Sequence, residues 1–231
     1  ADKEITVITI KVRNKYYVFG CGNFTTKNED IYYFKCKDEY ELLSKFLERW
    51  QSLDPDIVTG WNIEFFDIPY LVNRIRNVLG DRECKKLSPW GLIEEKTVEF
   101  RGKENQSFAI LGLSILDYYQ LYRKFSFGNQ ESYTLDYICK VELGLGKLDY
   151  SEYGSLEKLY ENNFQKFIEY NIVDVQRVQQ LDDKLKFLEQ VMALAYDAKV
   201  NYNDTMTTVR PWDIIIHNYL LSNGYVVPPI K

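Results

Sequence analysis

The clearest change from a short apolar run to a helical pattern lies in residues 54–76. Residues 57–59 are apolar or β-branched, which is typical of a buried β-strand, and Gly60 interrupts that run. A loop follows, and Ile68-Pro69 then predicts the start of a helix, because a first turn leaves unpaired the N–H that proline lacks. The apolar face of this helix is formed by Leu71, Val72, Ile75 and Leu79.

The segment before residue 54 predicts three strands and one helix. Residues 5–12 and 16–21 are rich in β-branched and aromatic side chains with a short polar turn between them, which predicts a β-hairpin. Residues 31–36 predict a third strand, and Asp38 predicts the N-cap of a helix with helically spaced apolar residues. The order β-β-β-α-β-α therefore predicts an α/β fold with a mixed sheet and helices packed on it.

The second half of the chain is predicted to add a hairpin, a strand and several helices. Residues 92–100 and 106–111 flank a polar tip and predict a β-hairpin that projects from the domain. Residues 115–116 end another strand, and Asp117 lies at the turn into an aromatic-rich helix. Between residues 156 and 197 apolar side chains recur every three or four positions, which predicts one or two helices.

Polar side chains with possible chemical roles lie at two places. Asn62 and Asp67 fall between the strand at 57–59 and the following helix, where open α/β sheets place their sites. Asp67 has an alternative interpretation as a helix cap, because its oxygens could accept the first free N–H groups. Tyr170 and Asp174 are four residues apart and share one helix face, although such a pair is also ordinary on a half-exposed helix.

Composition limits the classes of function that these residues can serve. The 231 residues are 45% hydrophobic, enough for one large domain or two small ones, and the formal net charge is −5. No global basic field attracts nucleic acid, but a site for divalent metal ions must itself be acidic. One histidine and four cysteines without a C-x-x-C pair do not predict a zinc site. Reduced thiols, with no signal peptide and no apolar membrane span, predict a cytoplasmic protein.

The two polar motifs occur together in an order that resembles a known family. N-x-x-x-F-D at residues 62–67 is followed about a hundred residues later by Y-x-x-x-D at residues 170–174. In these motifs and in the framework segments between them, the chain resembles the proofreading 3′–5′ exonuclease domain of family B DNA polymerases, most of all the T-even-like phage members. The resemblance implies one exonuclease domain over residues 1–231 and an RNase H-like mixed sheet flanked by helices. Residues 92–111 resemble the family's projecting hairpin, which helps to part the primer end from the template.

The resemblance also implies a role for each site residue. Phosphodiester hydrolysis in this family uses two Mg²⁺ or Mn²⁺ ions, which activate the attacking water and bind the reacting oxygens. Asp67 and Asp174 are expected to be two of the four carboxylates that hold these ions. Tyr170 is expected to orient the attacking water, and Asn62 and Phe66 are expected to hold the terminal nucleotides of the primer. The expected partners are a single-stranded primer 3′ end, the polymerase palm, fingers and thumb, and, through the parent protein, a sliding clamp.

One departure from the family pattern changes the expectation for this chain. The first exonuclease motif, D-x-E within the first strand, should precede residues 5–12 and is not found there. Asp2-Lys3-Glu4 has the right spacing, but it lies ahead of the strand and is interpreted as a coincidence. The palm motifs are also absent after Lys231. The sequence therefore predicts a piece of a DNA-directed DNA polymerase that is inactive by itself and acts in the cytoplasm, the host's if the source is viral.

Two alternatives remain open at this stage. The missing D-x-E also fits a catalytically inert nucleic-acid-binding or scaffold domain with an RNase H-like fold. Retention of all four polar site residues together argues against such a loss of catalysis. A stand-alone exonuclease that acts on short RNA is the weaker alternative, because the insertion at residues 80–112 and the framework segments resemble polymerases.

Overall fold

A computed structural model describes residues 3–100, 102–146 and 154–227, with no side-chain description for residues 99, 100 and 103. Strands are interspersed with helices as far as residue 117, and only helices follow among the described residues, so the structure contains both classes of element as the predicted α/β class requires. The strands are β1 (Val7–Val12), β2 (Lys15–Gly20), β3 (Ile31–Lys35), β4 (Ile57–Gly60), β5 (Ile93–Phe100), β6 (Lys103–Ile110) and β7 (Ser114–Asp117). The helices are α1 (Glu39–Leu53), α2 (Asp67–Leu79), α3 (Asp81–Cys84), α4 (Tyr118–Phe125), α5 (Leu135–Leu143), α6 (Leu156–Asn162), α7 (Phe164–Leu185), α8 (Phe187–Ala198) and α9 (Arg210–Ser222).

The described strands form three small sheets, where the sequence predicted one mixed sheet. In the first sheet, β1 pairs antiparallel with β2, and β2 pairs parallel with β3, so the predicted hairpin and its third strand are confirmed. The second sheet contains β4 and β7 in parallel, and the third is the hairpin β5–β6. No described strand pairs with strands of more than one of these sheets.

Helix α1 packs on the first sheet and α2 packs against α1, and the larger core contains residues of both helices and of this sheet. Asp38 caps α1 as predicted, since its side chain accepts a hydrogen bond from the backbone N–H of Glu41 at 2.9 Å. The apolar faces of both helices bury large aliphatic and aromatic side chains, each of which stabilises the fold by roughly 1.5–3 kcal/mol. The fully or nearly fully buried side chains of this core include Phe19, Leu42, Leu43, Phe46, Val72 and Ile75.

The hairpin β5–β6 is attached to this core at its base. Phe108 and Ile110 of β6 are buried in the larger core, and the guanidinium of Arg76 lies 5.2 Å from the centroid of the Phe108 ring. The pairing continues to Phe100 and Lys103, so the connection is shorter than the polar tip that the sequence predicted. The base of the hairpin therefore packs beside α2, and its projection from the domain stays a prediction.

The helical region from residue 156 is divided into more helices than the sequence predicted. Residues 156–197 form three helices, not one or two. Asn163 separates α6 from α7 and caps α7, and Lys186 in a left-handed conformation separates α7 from α8. Across the described residues, none of the helices is both long enough and apolar enough to cross a bilayer. All four cysteines are free, as predicted.

Candidate active site

The candidate site begins where the parallel strands β4 and β7 end side by side. Gly60 of β4 and Asp117 of β7 are partners in the parallel register. Parallel strands present their carboxyl ends at a common edge of the sheet, and open α/β folds place their sites at such edges. Residues 61–66, which we call the site loop, lead from β4 into α2 and carry the N-x-x-x-F-D motif.

Asp117 holds the site loop through its backbone. The Asp117 side chain is 2% exposed and accepts hydrogen bonds from the N–H groups of Asn62 at 2.9 Å and Glu64 at 3.0 Å. It also caps α4 by accepting the N–H of Tyr119 at 3.0 Å. Asn62 has a left-handed backbone with φ of 60°, a conformation that asparagine tolerates better than most residues. The sequence placed Asp117 at a strand-to-helix turn but did not identify it as a site residue.

Asp67 is the first residue of α2, and the alternative interpretation of this residue as the helix cap is wrong. The N-cap position belongs to Phe66, and no side chain makes a capping hydrogen bond there. The pKa of Asp67 is raised to about 6, mainly by burial and to a smaller extent by the nearby charge of Asp117. A hydrogen bond from its own backbone N–H opposes this increase. Asp67 is nevertheless exposed to solvent on one side, although protein atoms surround the rest of its carboxylate. The N-terminal end of α2 favours the ionised form there.

The two other predicted substrate-binding residues lie in the same loop. The Phe66 ring is 63% exposed and stacks on Tyr70, with ring centroids 6.3 Å apart and an angle of 24° between the planes. The loop is tied to its neighbours through Glu64, whose carboxylate accepts hydrogen bonds from Gln120 Nε2 at 2.5 Å and Ser107 Oγ at 3.3 Å. The loop therefore contacts both α4 and the hairpin β5–β6.

Tyr170 and Asp174 lie together on α7, as their spacing predicted. Asp174 is half-buried, and burial and the charge of Asp136 raise its pKa to about 6, while Arg177 lowers it. The buried guanidinium of Arg177 pairs with Asp136 of α5 and donates to the carbonyl oxygen of Gly146 at 2.5 Å. Asp174 is thus a carboxylate with one opposing and one like charge beside it.

The structure groups the predicted residues into two sets. Asn62, Phe66 and Asp67 share the site loop and the start of α2, while Tyr170 and Asp174 share α7. Within the described ranges, no three His, Cys, Asp or Glu side chains are close enough to hold a metal ion together. The aspartate of the spacing-matched triplet before β1, Asp2, lies outside the described residues. Single carboxylate oxygens suit a hard divalent cation, so these residues fit part of a Mg²⁺ or Mn²⁺ ligand set.

Comparison with known proteins identifies the family. Residues 2–138 match the family described as DNA polymerase family B, exonuclease domain. The chain is 43% identical over 200 residues to the DNA-directed DNA polymerase of Escherichia phage RB69, covering 87% of this chain and 22% of that protein. It is 38% identical over 198 residues to the DNA-directed DNA polymerase of Enterobacteria phage T4, covering 86% and 22%.

A more distant relative is the DNA polymerase delta catalytic subunit of Schizosaccharomyces pombe, which is 26% identical over an alignment of 235 positions that covers 95% of this chain and 21% of that subunit. The chain spans about a fifth of the length of these curated relatives. The family match covers more than half of the chain and includes the site loop, β7 and Asp117. This chain therefore belongs to the exonuclease domain family of the family B DNA polymerases.

Proposed function

We propose that this chain is a 3′–5′ proofreading exonuclease domain of a DNA-directed DNA polymerase, which hydrolyses the 3′-terminal phosphodiester of a primer in its parent protein. The observation that carries the proposal is the N-x-x-x-F-D motif at the carboxyl end of β4, beside the buried carboxylate of Asp117 on β7. Membership of the exonuclease family supports it. The proposal includes a single domain over residues 1–231 with an RNase H-like fold, in agreement with the mixed pairing of β1–β3 and the parallel pair β4–β7.

The site residues then take the following roles. Asp67 and Asp174 supply carboxylate oxygens to Mg²⁺ or Mn²⁺, the cations that such ligands prefer. When bound, the ions supply activation of water and neutralisation of phosphate charge. Tyr170 orients the attacking water through its hydroxyl group. Asn62 and the exposed face of Phe66 hold the terminal nucleotides, since aromatic faces stack on bases of any sequence.

The proposed partners follow from the same function. The substrate is the single-stranded 3′ end of a primer, and the palm, fingers and thumb of the parent polymerase deliver it to the site. A sliding clamp acts through the parent. The proposed place of action is the cytoplasm, or the host cytoplasm for a viral source, where DNA, Mg²⁺ and the remainder of the polymerase are available.

Calorimetric titration with Mn²⁺ tests the role of Asp67. We expect weak binding by the wild-type chain, because the described residues offer few carboxylates in one place, and loss of this binding in Asp67→Ala. Asp81→Ala is the matched control, because Asp81 is also the first residue of its helix and is similarly open to solvent. Equal Mn²⁺ binding by wild type and Asp67→Ala would contradict the proposal, whereas loss in both variants would indicate a general effect of helix-terminal charge.

The isolated chain is expected to digest single-stranded DNA negligibly. Rapid Mg²⁺-dependent digestion that Asp174→Ala abolishes would contradict this expectation and would show that another carboxylate completes the site. The second candidate function is an inert nucleic-acid-binding or scaffold domain, favoured by the lack of a three-carboxylate cluster among the described residues. Tight binding of a single-stranded oligonucleotide without any Mn²⁺ binding would support this second function.

A further inference from the structure

We propose that Asp117 is a positioning residue of the exonuclease site, which fixes the site loop so that Asn62, Phe66 and Asp67 keep their places. The inference rests on the proposed function, since it assigns to Asp117 a task in that same site. None of the roles given to the polymerase motifs above belongs to Asp117. Its carboxylate acts on the backbone of the loop and not on the substrate.

The two carboxylate oxygens of Asp117 accept hydrogen bonds from different backbone N–H groups. Oδ1 accepts the N–H of Asn62 at 2.9 Å and the N–H of Tyr119 at 3.0 Å, while Oδ2 accepts the N–H of Glu64 at 3.0 Å. The side chain is almost completely buried, so water does not compete for these bonds. One carboxylate thus joins the first residues of α4 to two alternate residues of the site loop.

The loop needs such a fixed point because its own backbone supplies little regular pairing. Asn62 has positive φ, and the chain must turn sharply between the end of β4 and the start of α2. The main backbone bond that closes the turn is from Ile68 N to Ile63 O at 2.9 Å. Asp67 follows Glu64 by only three residues, so a displaced Glu64 amide would move the carboxylate that we assign to metal binding.

A second hydrogen bond attaches the site loop to α4. The carboxylate of Glu64 accepts from Gln120 of α4, so the backbone and the side chain of Glu64 are both held against the β7–α4 corner. An acid is required at position 117 because both of its oxygens accept hydrogen bonds. An asparagine there would retain one accepting oxygen and would present its NH₂ group to a second donor.

Amide hydrogen exchange, measured by NMR on the full chain, tests the proposal residue by residue. In Asp117→Asn, with the retained oxygen in the place of Oδ1, we expect exchange at Glu64 to accelerate about 10- to 100-fold, while Asn62 and Tyr119 stay protected. In Asp117→Ala all three amides should exchange faster. A variant that merely loosened the whole fold would accelerate exchange in the core helices too, and Asp117→Asn guards against a folding failure of Asp117→Ala.

Asp182→Ala is the matched control. The Asp182 carboxylate also accepts a backbone N–H, that of Leu188 at 3.1 Å, and it contacts Tyr118 of α4 without touching the site loop. We expect this variant to leave exchange at Asn62 and Glu64 unchanged and to retain wild-type Mn²⁺ binding, whereas Asp117→Ala should weaken that binding at least several-fold.

Unchanged exchange at residues 62–67 in both Asp117 variants would overturn the proposal, whatever the metal result. Where Asp67→Ala abolishes Mn²⁺ binding, faster exchange there in the Asp117 variants with Mn²⁺ binding equal to wild type would also overturn the proposal, because the loop would then be loosened without moving Asp67. If Asp67→Ala itself fails to affect Mn²⁺ binding, the proposed function fails separately. In that case, faster amide exchange in the Asp117 variants that extends to residues 65–67 supports the positioning role. An acceleration of exchange that is confined to residue 119 rejects it.

Discussion

Lowering the pH from about 7 to about 5 should increase the free energy of unfolding, and Asp117 should account for a large part of the increase. The pKa of Asp117 is raised to about 6, mainly by burial and to a smaller extent by the charge of Glu64. Hydrogen bonds from three backbone N–H groups oppose this increase. In the unfolded chain the same group titrates near 3.8. Between these values the folded protein binds more protons than the unfolded chain, so stability decreases as the pH rises through that window.

The size of the effect follows from the two pKa values. A difference of about two units corresponds to about 3 kcal/mol between the fully protonated and the fully ionised protein. From pH 7 to pH 5 the contribution of Asp117 is about 1.3 kcal/mol, because the full effect is reached only below the unfolded pKa. Asp174 contributes with the same sign, since burial also raises its pKa. The contribution of Asp67 is smaller because solvent screens an open carboxylate.

Urea unfolding at the two pH values, followed by tryptophan fluorescence, measures this difference. Asp117→Asn cannot titrate at this position, so its gain in stability at the lower pH should be about 1.3 kcal/mol smaller than that of wild type. Ser114→Ala lies on the same strand and removes no titrating group, so it should retain the wild-type gain. The same gain in Asp117→Asn as in wild type would refute the assignment of the raised pKa to Asp117.

Three further predictions concern an ion pair, a neighbouring charge and an exposed ring. Arg74→Ala should lower the free energy of unfolding in urea by about 3–5 kcal/mol, because it leaves the buried Glu39 carboxylate without its guanidinium partner. Arg177→Met should raise the pKa of Asp174 further, as measured by NMR titration of the carboxyl group, because Arg177 now lowers it. Phe66→Ala should weaken binding of a single-stranded oligonucleotide by about 1–3 kcal/mol in fluorescence anisotropy, with little change in stability, because its exposed ring offers a stacking face.

Two of these predictions have a control variant within the chain. Lys45→Ala removes a partly exposed ion pair with Glu41 and should change the urea midpoint much less than Arg74→Ala does. Phe127→Ala removes a fully exposed ring outside the site loop and should not weaken DNA binding. An Asp174 titration that is the same in Arg177→Met as in wild type would contradict the electrostatic account of α7.

Local sequence pattern predicted most of the elements because their causes are local. The Asp38 cap, the hairpin β1–β2 and the strand-to-helix change after Gly60 depend on side chains a few residues apart. The three-helix division of residues 156–197 was missed because continuous apolar spacing hid the break at Lys186, a residue that seldom adopts a left-handed backbone. The division into separate sheets was also missed, since strand pairing depends on contacts distant in sequence.

The candidate site was predicted in part for the same reason. Asn62, Phe66 and Asp67 lie within six residues, so their proximity followed from the motif alone. Asp117 is 55 residues from Asn62, and only the parallel pairing of β4 with β7 brings its carboxylate to the loop. The available signal was an aspartate at a second strand-to-helix turn. This aspartate indicates a site residue only when β4 and β7 are known to be neighbouring strands.

The raised pKa values connect the stability of the domain to its proposed chemistry. Asp67, Asp117 and Asp174 each ionise less readily than an ordinary aspartate, mainly because surrounding protein replaces water around them. At neutral pH the folded chain therefore holds negative charge that weakens it, and a divalent cation beside Asp67 would favour that charge. Cation binding and folding should consequently support each other, with both protons and metal competing for the same carboxylate below about pH 6.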